Sequence, residues 1–412
     1  MSSDSDTARL APTRRTVLGA LGAGAGLTAF GSALGSAQSS DHWTIVVLPD
    51  TQIYAKRQSP YAGDQTQWIA DNRDSENIAF VTHAGDVVDH GDVDAEWKHM
   101  DKAFSALDGT VPYSVVPGNH DWAVMADRTS SSAKYKEYFG PSRYQGRSWF
   151  GGAGPTTDNQ NRENLNTYQL FSAGGHDFLH LGLEWEPPGS TDDPSTPLGW
   201  AQQVLDNNPD RPTILTTHSY LKVGGERAKS VQEKNGYGNA GQTVWEELVA
   251  PNPQVFMVVG GHWHSGNDGE SHRVSTNDSG GKVYEILANY QDRTNGGYGL
   301  LQRVEFRPGG GDPDRIQVRT YSPSRDEFEK DGDSEYGFDL SFEERFGTSG
   351  GDAAGGDVDG DGDVDDDDVE LVQRSVAGED VGIDESAADV DGDGDVDIGD
   401  VVSIRDATEG GK

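Results

Sequence analysis

The sequence predicts an α/β domain over residues 41–346, followed by a small helical domain built on two calcium loops over 357–412. Three observations carry this. Short apolar, β-branched runs alternate with helical patterns from Asp41 onward. Five of those runs are followed, within four residues, by a motif of Asp, Asn or His. Near the C-terminus a twelve-residue acidic pattern, with glycine at its sixth position, occurs twice, 32 residues apart.

The apolar runs lie at 44–48, 78–82, 113–116, 178–183, 213–217, 255–259 and 283–287, and read as buried strands. Trp97, Met100, Phe104 and Leu107 recur at helical spacing on one face of a helix starting near Asp94. Pro197 opens a second helix carrying Trp200, Val204 and Leu205. The runs 300–306 and 315–321 read as an antiparallel pair. Residues 347–356 form a linker of small and polar residues.

Composition excludes several function classes. The chain has 412 residues, no cysteine, and 70 acidic against 32 basic residues, for a net charge of −38. Disulfide frameworks, thiolate metal sites and cysteine nucleophiles are therefore ruled out. The charge disfavours nucleic acid and anionic membranes as partners. Residues 351–412 hold 22 acidic and 3 basic side chains, so this tail carries half of the net charge. An acidic, cysteine-free chain of this kind suits concentrated salt, where screening relieves self-repulsion; a halophilic origin is expected.

At the N-terminus, Arg14-Arg15 precedes an uncharged, glycine-rich run lasting to Ser40. The pattern resembles a twin-arginine signal over residues 1–37, cleaved after Ala37, which implies a secreted or cell-surface protein. A transmembrane anchor is the competing reading. After cleavage no membrane span is expected.

The chemistry sits behind the strands. The five motifs are Pro49-Asp50-Thr51-Gln52, Gly85-Asp86-Val87-Val88-Asp89, Gly118-Asn119-His120-Asp121, His218, and Gly261-His262-Trp263-His264. Ligands in open α/β sheets bind beyond the carboxyl ends of strands, so all five should meet at one edge. Asp, Asn and His without thiolate form a nitrogen and oxygen donor set suited to Mn, Fe or Zn. Glycines before Asp86, Asn119 and His262 should let the backbone turn sharply there.

In this order the motifs resemble those of the calcineurin-like metallophosphoesterase superfamily. The resemblance spans residues 43–340. It implies a two-sheet αββα sandwich with a dinuclear centre and a phosphoester substrate. It also implies that Asp50, Asp86 and His264 hold one divalent metal, and Asp86, Asn119, His218 and His262 the other, with Asp86 bridging. A metal-bridging hydroxide would attack phosphorus, and His120 would protonate the leaving oxygen. The first motif departs from the family, ending in Gln52 where the family usually has His. Gln52 is either a neutral oxygen ligand favouring an ion such as Mn²⁺, or a residue that orients a metal-bound water without touching the metal. Asp89 stands near where purple acid phosphatases carry Tyr, which disfavours a purple enzyme. Monoester and diester substrates both remain open.

Two further features allow competing readings. The aromatic and arginine-rich segment 135–152 is either a lid or a surface excursion packed on its own rings. His83, His90, His99 and His180 read as structural, and Glu184 could reach the site.

In the tail, Asp357, Asp359, Asp361, Asp363, Asp365 and Asp368 recur as Asp389, Asp391, Asp393, Asp395, Asp397 and Asp400. Positions 1, 3, 5, 9 and 12, with the position-7 backbone, fit a calcium loop, so two Ca²⁺ are expected. A disordered acidic tail would have no reason to repeat glycine at position 6 and valine at position 8. Two loop-helix units behind a linker resemble a type I dockerin, which implies a cohesin-like partner on a scaffold or surface protein. Residues 10 and 11 of the loops are Asp366-Asp367 and Ile398-Gly399, so the two faces differ chemically. The combined expectation is a secreted, dinuclear-metal phosphoesterase tethered through a calcium-dependent module. The rival is a catalytically weak surface-assembly or binding protein that uses the same fold as a scaffold.

Overall fold

Side-chain alternation along single strands decides the architecture. In β1 (Trp43–Leu48), Trp43, Ile45 and Val47 enter one apolar cluster, while Val46 and Leu48 enter another. A strand buried on both faces must sit inside a layered structure. The computed structural model describes residues 42–156, 162–309 and 313–346. In the C-terminal segment it describes 356, 358, 364, 366–379, 381, 383, 385–390 and 396–410. The expected signal segment 1–37, and all of the expected linker except Gly356, lie outside the described residues.

The remaining strands are β2 (Ile78–His83), β3 (Tyr113–Val115), β4 (Phe150–Gly154), β5 (Asn166–Ala173), β6 (His176–Leu183), β7 (Thr213–Thr217) and β8 (Val255–Gly260). They continue with β9 (Glu270–Thr276), β10 (Lys282–Ala288), β11 (Leu301–Arg307), β12 (Asp314–Ser322), β13 (Glu327–Phe328) and β14 (Glu335–Leu340). One sheet runs β13-β12-β11-β1-β2-β3, with β14 also on β12; the other runs β4-β5-β6-β7-β8-β10-β9. Strands β1, β2 and β3 are mutually parallel, as are β6, β7, β8 and β10. The antiparallel pairing expected for 300–306 and 315–321 is found between β11 and β12.

Three apolar layers hold the sheets. Between them, Phe178 contacts Trp43, Phe171, Phe256, Phe306 and Phe346. Outside the first sheet, Trp97, Met100 and Phe104 of the helix Asp94–Phe104 share a cluster with Leu48, Val81 and Tyr113. Outside the second, Leu198, Val204 and Leu205 of the helix Pro197–Asp206 share a cluster with Leu179, Leu215 and Val258. Thr196 caps that helix, its hydroxyl accepting from Gly199 N at 3.3 Å. The result is an α/β fold of two mixed sheets flanked by helices.

The segment 135–152 does not form a lid. Tyr135, Phe139 and Tyr144 are buried in the cluster that contains Trp97 and Phe104. Arg143 is clamped by Asp101, Asp108 and the Tyr113 hydroxyl. Nor do the aromatics pack only on themselves, since they complete the outer core. Glu184 does not reach the site either: it is buried against Arg128 and Asn166.

In the tail, the helices Asp366–Val376 and Ile398–Gly410 contribute Val369, Val372, Val401 and Ile404 to a shared apolar cluster. The two repeats match in detail. Asp368 Oδ1 accepts from Val358 N at 2.7 Å, and Asp400 Oδ1 from Val390 N at 2.8 Å. Of the proposed calcium ligands, Asp368, Asp389, Asp397 and Asp400 are described; Asp357, Asp359, Asp361, Asp363, Asp365, Asp391, Asp393 and Asp395 lie outside the described residues. Among the described residues, no helix is long and apolar enough to cross a membrane.

Phe178→Ala should lower stability by about 3–5 kcal/mol, because five aromatic neighbours lose a partner and the two-sided core cannot collapse freely. Chemical denaturation at fixed salt measures this; a loss below about 1 kcal/mol would mean that the sheets do not depend on this layer.

Candidate metal centre

Every sequence motif ends a strand, and all of those strands are parallel to a neighbour at that end. Asp50 follows β1, Asp86 follows β2, and Asn119 and His120 follow β3 on the first sheet. His218 follows β7, and His262 and His264 follow β8 on the second. The five segments thus converge where the two sheets share an edge.

Local backbone makes the convergence tight. Asp86 and His262 are non-glycine residues with φ of 54° and 67°. Such left-handed positions cost roughly 1–3 kcal/mol, and persist because the surroundings fix them. Gly85, at φ 102°, supplies the sharp turn expected before Asp86. The glycines before Asn119 and His262 act differently. A Cβ on Gly118 would lie 2.2 Å from Asp86 N, and one on Gly261 would lie 2.0 Å from Asp50 Oδ1. These two permit close approach of neighbouring motifs rather than an unusual turn.

The donor atoms meet around His218. Its Nδ1 donates to the Ala84 carbonyl at 2.8 Å, which leaves Nε2 as a lone pair facing inward. That Nε2 lies 3.2 Å from Asp86 Oδ2, 3.1 Å from Asn119 Oδ1 and 3.2 Å from His262 Nδ1. His262 donates from Nε2 to Gln232 Oε1 at 2.5 Å, so its Nδ1 is also a lone pair. Four electron-pair donors therefore face one another with no hydrogen between them. Either a proton or a cation must join them. Asp86, His218 and His262 alone bring three donor atoms within 4.8 Å of one another.

The electrostatics follow from that crowding. Burial favours neutral His218, yet Asp86 and Asp50 overcome it and push its imidazole up to about 9. Burial, with His218 beside it, pushes His262 down to about 3. Burial opposes ionisation of Asp86, but His218, His120 and His262 outweigh it and hold the carboxyl well below the usual range. Asp50 is pushed up to about 8 by burial, with His218 opposing and Asp86 assisting. A divalent cation would relieve both the carboxylate crowding and the facing lone pairs, so these residues fit a metal of the nitrogen- and oxygen-preferring kind.

The other expected ligands are placed less directly. Asp50 Oδ1 and Oδ2 accept from His262 N at 3.2 and 3.1 Å, and Oδ2 also from Asn289 Nδ2 at 2.8 Å. Gln52 Nε2 donates to Asp86 Oδ2 at 3.1 Å and also contacts Gln291 Oε1. Gln52 Oε1 is buried without a partner, an oxygen that a cation would satisfy. His264 lines the cavity, but its Nδ1 meets Asp292 at 2.8 Å, which leaves Nε2 as its ligating atom. The carboxylate on His264 is the usual outer partner of a metal-binding imidazole.

His120 stands at the cavity wall. Its Nδ1 donates to the Asp89 carbonyl at 2.9 Å, and its backbone N donates to Asp86 Oδ1 at 2.9 Å. Burial lowers its pKa, but Asp86 and Asp89 more than compensate, and the net shift is upward. Beneath it, Asp121 accepts from the backbone N–H groups of Gly118, Val87 and Val88 at 2.7, 3.2 and 3.1 Å. That carboxylate ties the second motif to the third. His83 supports the first: its Nε2 meets Thr51 Oγ1 at 2.9 Å. His90 and His180 are likewise hydrogen-bonded structural residues, bound to Glu96 and to Gln169, Thr82 and Thr216, and His99 bonds the Ser59 carbonyl.

Sequence reasoning missed Gln232, Asn289, Gln291 and Asp292. The last three directly follow β10, whose apolar run was visible, so strand-end position was the available signal. Gln232 lies in the long connection between β7 and β8 and carried none.

Residues 44–266 match the family described as Calcineurin-like phosphoesterase. A Bacillus subtilis (strain 168) protein described as uncharacterized protein YvnB is 34% identical over 296 residues, covering 69% of this chain and 20% of that one. This chain thus spans about a fifth of that relative's length. Among solved structures, purple acid phosphatase PPD1 from yellow lupin (Lupinus luteus) seeds overlaps with a TM-score of 0.43 at 14% identity, covering 73% of this chain and 54% of that one. A dimetal phosphatase from Danio rerio overlaps with a TM-score of 0.42 at 14% identity, covering 73% and 99%. With the family match extending over more than half of its length, the chain belongs to the calcineurin-like phosphoesterase family.

Proposed function

We propose that the chain is a metal-dependent phosphoesterase that hydrolyses phosphate mono- or diesters. One observation carries the reading: the lone pairs of His218 Nε2 and His262 Nδ1 converge with Asp86 and Asn119 beside a cavity of about 290 Å³ that His120 lines. In this reading Asp86, Asn119, His218 and His262 hold one cation, and Asp50, Gln52, Asp86 and His264 hold the second. Bound divalent ions, Mn, Fe or Zn, would supply an acidified water and neutralise phosphoryl oxygens.

The chain's own groups do the rest. Asp86 serves both ion positions, and its carboxyl is held well below the usual range against its burial. The Ala84 carbonyl and Gln232 hold the two imidazoles in their ligating tautomers. His120, fixed at Nδ1 by the Asp89 carbonyl, offers Nε2 to the departing oxygen, and Asp86 and Asp89 shift its pKa upward against burial.

A second reading, a catalytically weak binding protein on the same fold, draws on the Gln52 amide facing Asp86 through its nitrogen. Hydrolysis of p-nitrophenyl phosphate and its diester in high salt, with and without added Mn²⁺, separates the two. Metal-dependent turnover of either substrate supports the enzyme; no turnover of either leaves the binding reading.

The same proposal extends to export and tethering. Arg14-Arg15 before the glycine-rich run supports the twin-arginine route. The repeated loop pattern and the matched Asp368 and Asp400 hydrogen bonds support two calcium sites. Ile398, 72% exposed at position 10 of the second loop, is suited to a cohesin-like partner.

His120→Ala should retain metal but lose about 10²–10⁴-fold in turnover of an alkyl phosphate, whose poor leaving group needs the proton. The loss should be far smaller with p-nitrophenyl phosphate. Equal loss on both substrates would remove His120 from the proton-transfer role.

Calcium titration of the intact chain should show two sites, and Asp357→Ala with Asp389→Ala should weaken both, because each removes the first carboxylate of a loop. Phosphoesterase turnover should be unaffected. Calorimetry that finds the same calcium binding in the double variant would return the tail to a plain acidic segment.

A further inference from the structure

We propose that the cavity selects phosphate diesters over monoesters, a proposal that deepens the phosphoesterase reading and rests on it. The bond changes are the same for both classes. A water oxygen bonds to phosphorus, one P–O ester bond breaks, and the departing oxygen takes a proton. A diester thereby yields a monoester and an alcohol. What differs is charge. Near neutral pH a diester carries one negative charge, whereas a monoester, with a second pKa of about 6, is largely a dianion.

The cavity is built for the lower charge. Beyond the proposed ligands and His120, its wall is Gln232, Gln291 and Trp263. Among the described residues, no Lys or Arg lines it. Gln232 is held in place, since its side-chain oxygen accepts from His262 Nε2 at 2.5 Å and its backbone N donates to Glu186 at 2.8 Å. Arginines in the adjoining loops are engaged elsewhere: Arg128 with Glu184, and Arg293 with Glu270 and Glu329. Asp292, half-exposed, pairs with His264 of the cavity wall and adds negative charge behind that residue. A second phosphoryl charge would meet the amides of Gln232 and Gln291 here, with no Lys or Arg among the described lining residues to receive it beside His120.

A diester also has a second organic arm to place. The loop after His120 exposes Val124 and Met125, and the loop carrying Gln232 exposes Tyr237. The two loops are joined: Lys234 N donates to the Ala126 carbonyl at 3.0 Å, and Arg128 N to Glu233 at 3.2 Å. Ala126 N in turn donates to the Asn119 carbonyl at 2.9 Å, so both loops are anchored to the segment that carries Asn119 and His120. Their exposed apolar side chains are available to the second organic group, which a monoester lacks.

The test is kcat/KM of the metal-loaded enzyme for bis(p-nitrophenyl) phosphate and p-nitrophenyl phosphate, which share a leaving group, in the same high-salt buffer. Wild type should favour the diester by at least about tenfold, the difference expected between a charge-assisted and a neutral hydrogen bond. Gln232→Arg should narrow that ratio by about the same factor, by giving the dianion a cation. Gln232→Met should leave the ratio in place, which separates charge from loss of the His262 contact. Preference for the monoester, or equal rates, overturns the proposal. So does a diester preference that Gln232→Arg does not move in a variant that retains metal and native circular dichroism. If Gln232→Arg fails to fold, Gln291→Arg carries the same expectation. Metal-dependent turnover of neither substrate would overturn the phosphoesterase reading itself, and this one with it.

Discussion

Asp86 is the residue on which the rest of the site is built. It is fully buried, stands in left-handed backbone, and its two oxygens receive His120 N, Gln52 Nε2 and the approach of His218 Nε2. Three strand ends on two sheets therefore report to one carboxylate. A buried carboxylate is expensive to ionise unless its surroundings compensate. Here three imidazoles do so. The compensation also works in reverse, because Asp86 and Asp50 raise His218 while His218 lowers His262. Burial and Asp86 raise Asp50, whereas the imidazoles lower Asp86, so the group holds one carboxylate above its usual range and one below it.

Steric clearance is the second constraint. The distance from Gly118 to Asp86, and from Gly261 to Asp50, leaves no room for a Cβ. The motifs pack against one another as closely as backbone allows. In sequence these glycines look like turn residues. Only Gly85 is one, by its positive φ. The distinction is not visible in a single sequence, because glycine answers both demands and the clash partner lies about 30 residues or more away.

The legible parts of the fold were those in which one residue type serves one purpose. Apolar runs such as Ile214 and Leu215 in β7 were readable because both faces of the strand are buried. The helix beginning at Asp94 was readable because Trp97, Met100 and Phe104 mark a single face. Strand β4 was not. Its sequence, Phe-Gly-Gly-Ala-Gly, has almost no side chains because aromatic rings cover it: a Cβ on Gly151 would meet Tyr168, and one on Gly154 would meet Trp200. The candidate metal ligands were legible as motifs, but Asn289, Gln291 and Gln232 are isolated amides whose function depends on which loop they face. No local pattern encodes that.

The support beneath the cavity rim shows how such a loop is held without a motif. Arg128 is buried against the rings of Trp122 and Trp185, 5.2 Å from each centroid, and pairs with Glu184 while reaching the Glu186 carbonyl. Glu186 accepts from the backbone of Gln232 and Glu233, and Glu233 accepts from Arg128 N and from Asn235 and Tyr237. Removing one partner of a buried ion pair typically costs about 3–5 kcal/mol, and a well-packed apolar replacement can cost less than the pair itself. An ion pair is thus a poor choice for stability alone. It is a good choice for position, since each bond has a direction and each of these ends on the segment that presents Gln232 to His262. These charged groups convert an irregular loop into a fixed segment, and that segment presents the neutral amide of Gln232 to the cavity.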